Sequence, residues 1–237
     1  MVDATGEEIH FTFDADTVFG TSVQNEGSNC GAYFSTLVNG ASISSSEFVE
    51  GASSVQLVAT DSQYVQLPSY TFASTGISIA CWFRSDSSVD YSRVFEFSEG
   101  RTDGVYLDYF MMYIKGGYLG LFIGTEQVAS VSVNDNVWRH VTWTIDNSGT
   151  WVLYVNGVDV WDITGAGYPI SIVRTQNFLG HSFLGFNPFF NGAIDDFRVF
   201  NGRVLTGDDV LSLYHGIMDY LLLYLLFLTI LMFFVVM

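Results

Sequence analysis

Carboxylates and histidines are the residues of this chain with the greatest capacity for catalysis, and their spacing argues against it. A retaining glycosidase needs two carboxylates about 5 Å apart. None of the eight glutamates has an aspartate two residues later, and Glu96 and Glu99, three residues apart, cannot share one face of a strand. The sequence contains no Gly-x-Ser-x-Gly nucleophile motif whose serine His140 could activate as a general base. We therefore expect no enzyme, and we interpret His140 as a packed structural histidine.

Asp195 is the carboxylate with the strongest indication of a buried role. It falls at even spacing with Phe197 and Val199, so strand alternation directs its side chain toward the protein interior. Arg198, the nearest cation in sequence, has the opposite parity. Because a buried carboxylate must be paired or coordinate a cation, two alternatives stay open. Asp195 either holds a Ca²⁺ ion or accepts backbone N–H bonds.

Aromatic residues in two loops are the candidates for ligand contact. The segment Phe186-Asn-Pro-Phe-Phe190 places three phenylalanines around an Asn-Pro turn, which should reach the surface. A second loop, Gly165–Pro169, carries one tyrosine. Since aromatic rings stack on sugar faces, the predicted ligand-binding residues are Phe186, Phe189, Phe190 and Tyr168. The alternative is that the phenylalanine loop folds back over one open end of the protein.

The segments that position these residues read as strands. From His10 to Phe200, short apolar-alternating runs are separated by Gly, Asn, Asp and Ser. Asn156-Gly157 predicts a type I′ hairpin turn, and Gly116-Gly117 predicts another turn. More than ten short strands in about 200 residues indicate an all-β fold, a two-sheet antiparallel jelly-roll sandwich.

One short helix is predicted after the strands. Thr206-Gly-Asp-Asp209 resembles a capping box, and Gly216 is a suitable C-cap. Beyond it, Tyr220–Met237 contains no charge over 18 residues, enough for a helix of about 27 Å. We therefore expect a jelly-roll domain at residues 1–216 and a transmembrane anchor at 217–237, with the lipid bilayer as a partner.

This anchor defines the expected location. No signal-peptide pattern is present near Met1, so the chain is expected to be a single-pass membrane protein anchored by its C-terminus. Such a tail inserts after synthesis, which leaves the domain on the cytoplasmic side by default. The net charge of −17 disfavours phosphate backbones, so we expect no nucleic-acid partner.

The two cysteines form neither a disulfide scaffold nor a zinc site. Cys30 and Cys81 suffice for a single bridge. Cys81 shares a strand face with Ile77, Ile79 and Phe83, which favours a buried free thiol that packs as a small apolar side chain.

Several segments together resemble the laminin-G-like, concanavalin A-like jelly rolls. In the order of that family they are Phe11–Asp14, Gln63–Phe83, Trp138–Gly157 and Phe190–Thr206. The resemblance covers about residues 8–215 and implies the fold. It does not imply one function, because this fold carries lectins, adhesion modules and structural spacers.

The resemblance also implies a metal partner and a class of function. In laminin-G-like folds the residue that matches Asp195 often holds a structural Ca²⁺ together with an aspartate of the opening strand, which here is Asp14. The expected function is a membrane-tethered, non-catalytic binding or adhesion module that recognises a glycan or a protein. The alternative is a structural component of a membrane-containing assembly, such as a virion or a surface layer.

Overall fold

Two antiparallel sheets form the protein in a computed structural model that describes residues 6–102, 105–107 and 109–216. The strands are β1 (Glu7–Phe11), β2 (Val18–Phe19), β3 (Ser22–Gln24), β4 (Phe34–Val38), β5 (Ser42–Ser44), β6 (Ser54–Leu57), β7 (Tyr64–Gln66), β8 (Tyr70–Thr71), β9 (Ile77–Arg84), β10 (Ser92–Ser98), β11 (Gly100–Thr102), β12 (Val105–Leu107), β13 (Phe110–Lys115), β14 (Tyr118–Ile123), β15 (Thr125–Ser132), β16 (Arg139–Ile145), β17 (Trp151–Val155), β18 (Val158–Ile163), β19 (Val173–Arg174), β20 (Gln176–Leu179) and β21 (Gly192–Asn201). A short 3-10 turn spans Ala59–Asp61.

Most strands belong to two large sheets, and the remaining four form two small pairs, β11 with β12 and β8 with β19. Sheet A has the order β18-β17-β16-β9-β21-β6-β5, and sheet B has the order β15-β14-β13-β10-β20-β7-β4-β3-β2. In sheet A, β21 pairs with β9 along one edge and shares its other edge between β6 and β1. The predicted all-β sandwich of antiparallel sheets is confirmed.

The core lies between the sheets and is rich in aromatic rings. Alternating residues of each sheet face it, so β1 shows buried and half-buried positions in turn. Trp143 packs edge-on against Trp151 at 5.0 Å between ring centroids, and Phe95 and Phe97 face them from sheet B. Cys81 is a free thiol in this core, as predicted, and burial raises its pKa well above the ordinary value. Cys30 is free and exposed.

The predicted turns occur where the glycines indicated them. Asn156 and Gly157 join β17 to β18 with φ values of 52° and 79°, as a type I′ turn requires. Gly116 and Gly117 join β13 to β14 and also have positive φ.

A β-bulge in β21 overturns the alternation expected for Asp195. Asp196 has φ of +50°, and the pairing with β9 shifts between Asp195 and Arg198. Because of this extra residue, Ile194 and Phe197 both belong to the inner core although they are three residues apart. Asp195 is nevertheless fully buried.

The predicted helix covers the outer face of sheet A over residues 207–216. The N–H of Asp209 donates to Thr206 Oγ1, and the N–H of Thr206 donates to Asp209 Oδ2, so the capping box is formed. Val210 and Leu213 pack against this sheet face in a small second cluster.

Within residues 6–102, 105–107 and 109–216, no helical segment has the length and apolar composition that a bilayer span requires. The predicted transmembrane segment Tyr220–Met237, and with it the anchor region 217–237, falls outside the described residues.

Candidate functional site

The outer face of sheet B carries a buried ion pair at its centre. Glu96 of β10 stands in register with Met111 of β13 and with Phe178 of β20. Arg93 Nε donates to Glu96 Oε2 at 2.9 Å, and both side chains are buried. A loop must therefore cover this part of the sheet, since a charged pair on an open sheet face would be solvated.

Residues 180–191, which connect β20 to β21 and are called here the aromatic loop, provide that cover. The backbone N–H of Phe183 donates to Glu96 Oε1 at 3.0 Å. The N–H of Phe190 donates to the carbonyl of Gly180 at 3.0 Å and closes the loop on itself. One oxygen of Glu96 thus binds Arg93 and the other fixes the loop.

Four aromatic side chains stack where the aromatic loop meets the sheet. His181 lies parallel to Phe189, with 4.6 Å between ring centroids and an interplanar angle of 7°. Tyr64 and Phe178 contact the same imidazole at 4.7 and 4.8 Å. Burial lowers the pKa of His181 to about 4, so the ring is neutral at physiological pH and packs as an aromatic residue.

The three phenylalanines of the aromatic loop have different environments. The side chain of Phe186 is 79% exposed, whereas that of Phe190 is fully buried and meets Phe83 edge-on in the core. Phe189 is half-buried in the stack on His181. Phe190 therefore has no surface with which to bind a ligand, and its selection as a ligand contact is corrected. Its backbone bond to Gly180 turns the ring inward, so only part of the loop reaches solvent.

Tyr168 holds another part of the structure together. Its hydroxyl donates to the carbonyl of Ala73 at 2.5 Å and accepts the N–H of Gly76 at 3.0 Å. These bonds connect it to the segment before β9, while the aromatic loop is bonded to Glu96. The structure therefore does not join Tyr168 to Phe186 in one site.

The predicted metal ligands converge on one loop, residues 45–53 between β5 and β6. Asp195 Oδ2 accepts the N–H groups of Val49 and Glu50 at 2.8 and 3.0 Å. Asp14 Oδ1 accepts the N–H groups of the residues at 52 and 53, at 2.6 and 3.1 Å. Both carboxylates thus hold the β5–β6 loop in place through its backbone N–H groups.

Asp195 Oδ1 is the carboxylate oxygen of this pair that fits a cation best. It is buried and has no hydrogen-bond partner among the residues that the structure describes, and burial raises the pKa of Asp195 to about 7. Across the described part of the chain, no group of three or more His, Cys, Asp and Glu side chains has a metal-binding arrangement. Backbone carbonyls would have to supply most of the six to eight oxygens that Ca²⁺ prefers, so the calcium site stays a prediction.

A charged cluster on sheet A was missed by the sequence analysis. His10 Nε2 lies 2.5 Å from Asp196 Oδ1, and Arg198 Nε donates to Asp196 Oδ2 at 2.8 Å. Arg198 also bonds Glu7 at 3.0 Å. Burial alone would raise the pKa of Asp196, but the charges of Arg198 and His10 hold it well below the usual range. The bulge that brings these groups together has no signature in the local sequence.

His140 is a packed residue, as its position suggested. It is buried on sheet A, where Trp82 lies 5.2 Å away and Tyr214 of the helix 6.2 Å away, between ring centroids. Burial lowers its pKa to about 4. Within the described part of the chain, its Nδ1 has no hydrogen-bond partner.

Two antiparallel sheets with a covered outer face define a jelly-roll sandwich of the lectin type. A model of the concanavalin A-like lectin/glucanases superfamily matches residues 59–211. The chain therefore belongs to this superfamily.

Known proteins similar to this chain include parts of glycan-degrading enzymes. An alpha-L-arabinofuranosidase of Bifidobacterium longum subsp. longum is 27% identical over an alignment of 205 residues, and the match covers 79% of this chain and 19% of the relative. The chain thus spans about a fifth of that protein. Domain 4 of AbnA, a GH43 extracellular arabinanase from Geobacillus stearothermophilus, solved in complex with arabinotriose, is 17% identical. That match covers 88% of this chain and 98% of the domain, with a TM-score of 0.66.

Toxin binding domains share the same fold. The binding domain of Paraclostridial Mosquitocidal Protein 1 is 14% identical over 89% of this chain and 52% of its own length, with a TM-score of 0.64. The binding domain of Botulinum Neurotoxin DC, solved in complex with SialylT, is 13% identical over 90% and 52%, with a TM-score of 0.62. At these identities the structural matches establish the fold alone.

Proposed function

We propose that this domain is a non-catalytic carbohydrate-binding module whose ligand is a neutral, arabinose-containing glycan. The observation that carries the proposal is the position of Phe186. Its ring is 79% exposed, yet it stands on a loop whose backbone is fixed to Glu96 and whose neighbouring rings are stacked. Phe186 is the most exposed of the large apolar side chains in the described part of the chain.

The anchoring makes Phe186 suited to stacking on a sugar. A sugar presents C–H groups on one face of its ring, and an aromatic side chain buries that face by offset contact. Binding costs less entropy when the protein partner is already held in place. The bonds from Phe183 and Phe190 hold the aromatic loop on both sides of Phe186, so little ordering remains for the ligand to impose.

Charge and the comparisons together support the choice of glycan. The arabinofuranosidase and the arabinanase domain both act on or bind arabinose-containing sugars by name, and this chain covers nearly all of the latter domain. The formal net charge of −17 disfavours an anionic ligand such as a sialylated glycan.

The carboxylate closest to the aromatic loop supports a non-catalytic function. Both oxygens of Glu96 are engaged, one by Arg93 and the other by the N–H of Phe183. A general acid must exchange a proton with the glycosidic oxygen within hydrogen-bond reach. Glu96 is fully buried beneath the loop and cannot approach a substrate.

Titration calorimetry with arabinotriose tests this function. Wild-type protein is expected to bind, and Phe186→Ala is expected to weaken binding about tenfold, which corresponds to about 1.4 kcal/mol. Phe19→Ala is the matched control, since Phe19 is also exposed, at 63%, but belongs to β2, the terminal strand of sheet B and four strands from β20. A wild-type protein that binds no arabinose oligosaccharide, or an equal loss in both variants, contradicts the proposal.

We also propose that the lipid bilayer is a second partner, bound through Tyr220–Met237. Support comes from the 18 uncharged residues of this segment alone. In a liposome flotation assay the full chain is expected to float and a chain ending at Gly216 to remain at the bottom. Flotation of the shortened chain would contradict the anchor.

A further inference from the structure

Tyr91, just before β10, has a backbone conformation that is costly for its residue type. Its φ is +64°, in the left-handed region that a bulky side chain rarely adopts. The surrounding backbone enforces it: the N–H of Tyr91 donates to the carbonyl of Ile114 at 2.8 Å, and Asp90 Oδ1 accepts the N–H of Gly116 at 2.6 Å. These bonds tie the residue to the end of β13.

The strained backbone places the Tyr91 ring against a second aromatic ring, that of Tyr113. It stacks on Tyr113 with 5.4 Å between centroids and an interplanar angle of 26°. Tyr113 in turn lies flat over Gly120 of β14, where a Cβ atom would come within 2.4 Å of the ring. The Tyr113 hydroxyl donates to Glu126 Oε1 at 2.6 Å. The Tyr113 ring is therefore held between Tyr91 and Gly120, with its hydroxyl bonded to Glu126. Tyr91 is half-buried and is the ring of this pair that solvent reaches.

A donor and an acceptor lie close to this ring, with the Lys115 ammonium over its face. Lys115, the only lysine of the chain, donates to Glu126 Oε2 at 2.6 Å, and its Nζ lies 5.3 Å from the centroid of Tyr91. The two side chains are 31% and 36% exposed. The hydrogen bond from Lys115 lowers the pKa of Glu126, so the pair is ionised at neutral pH.

We propose that Tyr91, Lys115 and Glu126, supported by Tyr113, form a second sugar-binding subsite on sheet B, specific for a neutral sugar ring with vicinal hydroxyls. The inference rests on the proposed glycan-binding function and adds a site to it. The ring of Tyr91 contacts the C–H face of the sugar, while Lys115 donates to one hydroxyl and Glu126 accepts from its neighbour.

The ion pair selects against charged sugars. A carboxylated sugar on Tyr91 must compete with Glu126 for Lys115, and an amino sugar must compete with Lys115 for Glu126, because the two side chains already bond each other at 2.6 Å. A neutral ring with adjacent hydroxyls uses both groups, because each hydroxyl both donates and accepts hydrogen bonds.

Arg93 and Glu96 connect the subsite to the aromatic loop. Arg93 lies 5.3 Å from the centroid of Tyr113 and bonds Glu96, whose other oxygen holds the loop that carries Phe186. Both contact points thus belong to the same face of sheet B. A glycan of several units is expected to engage both, so affinity should rise with chain length.

Two variants test the subsite without disturbing the fold. Tyr91→Gly removes the ring and suits the left-handed backbone, because glycine adopts positive φ at no steric cost. Glu126→Gln keeps the shape of the side chain and removes its charge. Each is expected to weaken binding of arabinotriose five- to tenfold in calorimetry, while thermal unfolding shows that both remain folded. Phe19→Ala again serves as the control.

The outcomes separate this inference from the function on which it rests. If the wild type binds, Phe186→Ala weakens binding and both subsite variants bind like wild type, the subsite is overturned and the function stands. If the wild type binds neither arabinotriose nor sialyllactose, both are overturned. Preference for sialyllactose over arabinotriose in the wild type, retained in Glu126→Gln, overturns the selection for a neutral ring.

Discussion

Phe186 and Phe190 are separated by three residues and have opposite environments, one exposed and one in the core. At the scale of single residues, we expect Phe190→Ala to lower the free energy of unfolding by about 3–5 kcal/mol, since it leaves a cavity against Phe83. Phe186→Ala should change it by no more than about 0.5 kcal/mol. Urea denaturation of both variants measures the difference. Similar losses in the two would show that the whole loop is a core plug.

Asp195 makes stability depend on pH. Burial raises its pKa from 3.8 to about 7, so the folded protein keeps a proton that the unfolded chain releases. The contribution of Asp195 to the free energy of unfolding therefore falls as pH rises from 3.8 to about 7. Each unit of difference between the two pKa values is worth about 1.4 kcal/mol. Asp195→Asn should flatten the profile across this window in urea denaturation, and an unchanged slope would contradict the assignment.

Calcium is expected to compete with that proton. Ca²⁺ binds the ionised carboxylate, and Asp195 Oδ1 has no hydrogen-bond partner among the described residues. Added Ca²⁺ should therefore raise the melting temperature more at pH 8 than at pH 5. At a free-ion concentration about 100 times Kd the gain is about 2.7 kcal/mol. Asp195→Ala should abolish the response. Identical melting curves in calcium and in chelator would leave Asp195 with its backbone N–H bonds and a proton.

The burial of Cys81 followed from the sequence because its strand alternates without interruption, whereas the environment of Asp195 did not. In β21 one residue in the left-handed region, Asp196, changes the parity of all that follows. Periodicity along a strand cannot reveal such a residue when it is not glycine. Neither can it reveal that His10 meets Asp196, because that contact joins β1 to β21, which are distant along the chain.

At the scale of elements, the contact between the β17–β18 turn and the terminal helix invites a test. Gly157 has φ of +79°, and a Cβ atom there would lie 2.9 Å from Leu211 and 3.1 Å from Tyr214. Gly157→Ala therefore incurs both backbone strain and displacement of the helix. Gly124→Ala is the control, since Gly124 has φ of +68° with open space around it.

The control variant should lose about 1–2 kcal/mol of stability, from backbone strain alone. We expect Gly157→Ala to lose more than that in urea denaturation, and the excess measures how firmly the helix is seated on sheet A. Equal losses in the two variants would mean that the helix yields without cost at this point.

Four of the strands that the sequence did not reveal, β2 to β5, lie at the ends of the two large sheets. The predicted set included hairpins with strong turns, such as the one at Asn156-Gly157, but nothing between β1 and β6. Strand β2 has only two residues, and the short strands β3 to β5 contain several serine, threonine and glutamine residues. Their apolar residues are too few for a period-2 pattern. They become strands because a neighbouring strand supplies backbone hydrogen bonds, which is a property of the assembled sheet.

For the molecule as a whole, the net charge predicts how salt affects binding. The chain has a formal charge of −17, so its long-range field should repel anionic glycans and leave neutral ones unaffected. The Debye length falls from about 30 Å at 0.01 M salt to about 8 Å at 0.15 M. Arabinotriose affinity should be constant across this range in calorimetry. An affinity for arabinotriose that falls steeply with salt would indicate that charge, rather than ring stacking, carries the interaction.

The fold class was predictable at this scale because many weak strand signals agree. The grouping of site residues was not, since the aromatic loop meets Glu96 only when β10 and β20 become neighbours. Phe186 and Phe190 have the same residue type within one turn, and nothing local distinguishes them.

The position of β21 also governs when the protein can fold. It is the last of the described strands in sequence, yet it lies inside sheet A and pairs with β1, where Glu7 meets Phe200. On the ribosome, β1 must wait for almost the entire domain to be synthesised before it finds its partner. Contacts this distant along the chain slow folding to milliseconds or longer. During that interval the apolar face of β1, with Ile9 and Phe11, remains open to chaperones and to other nascent chains.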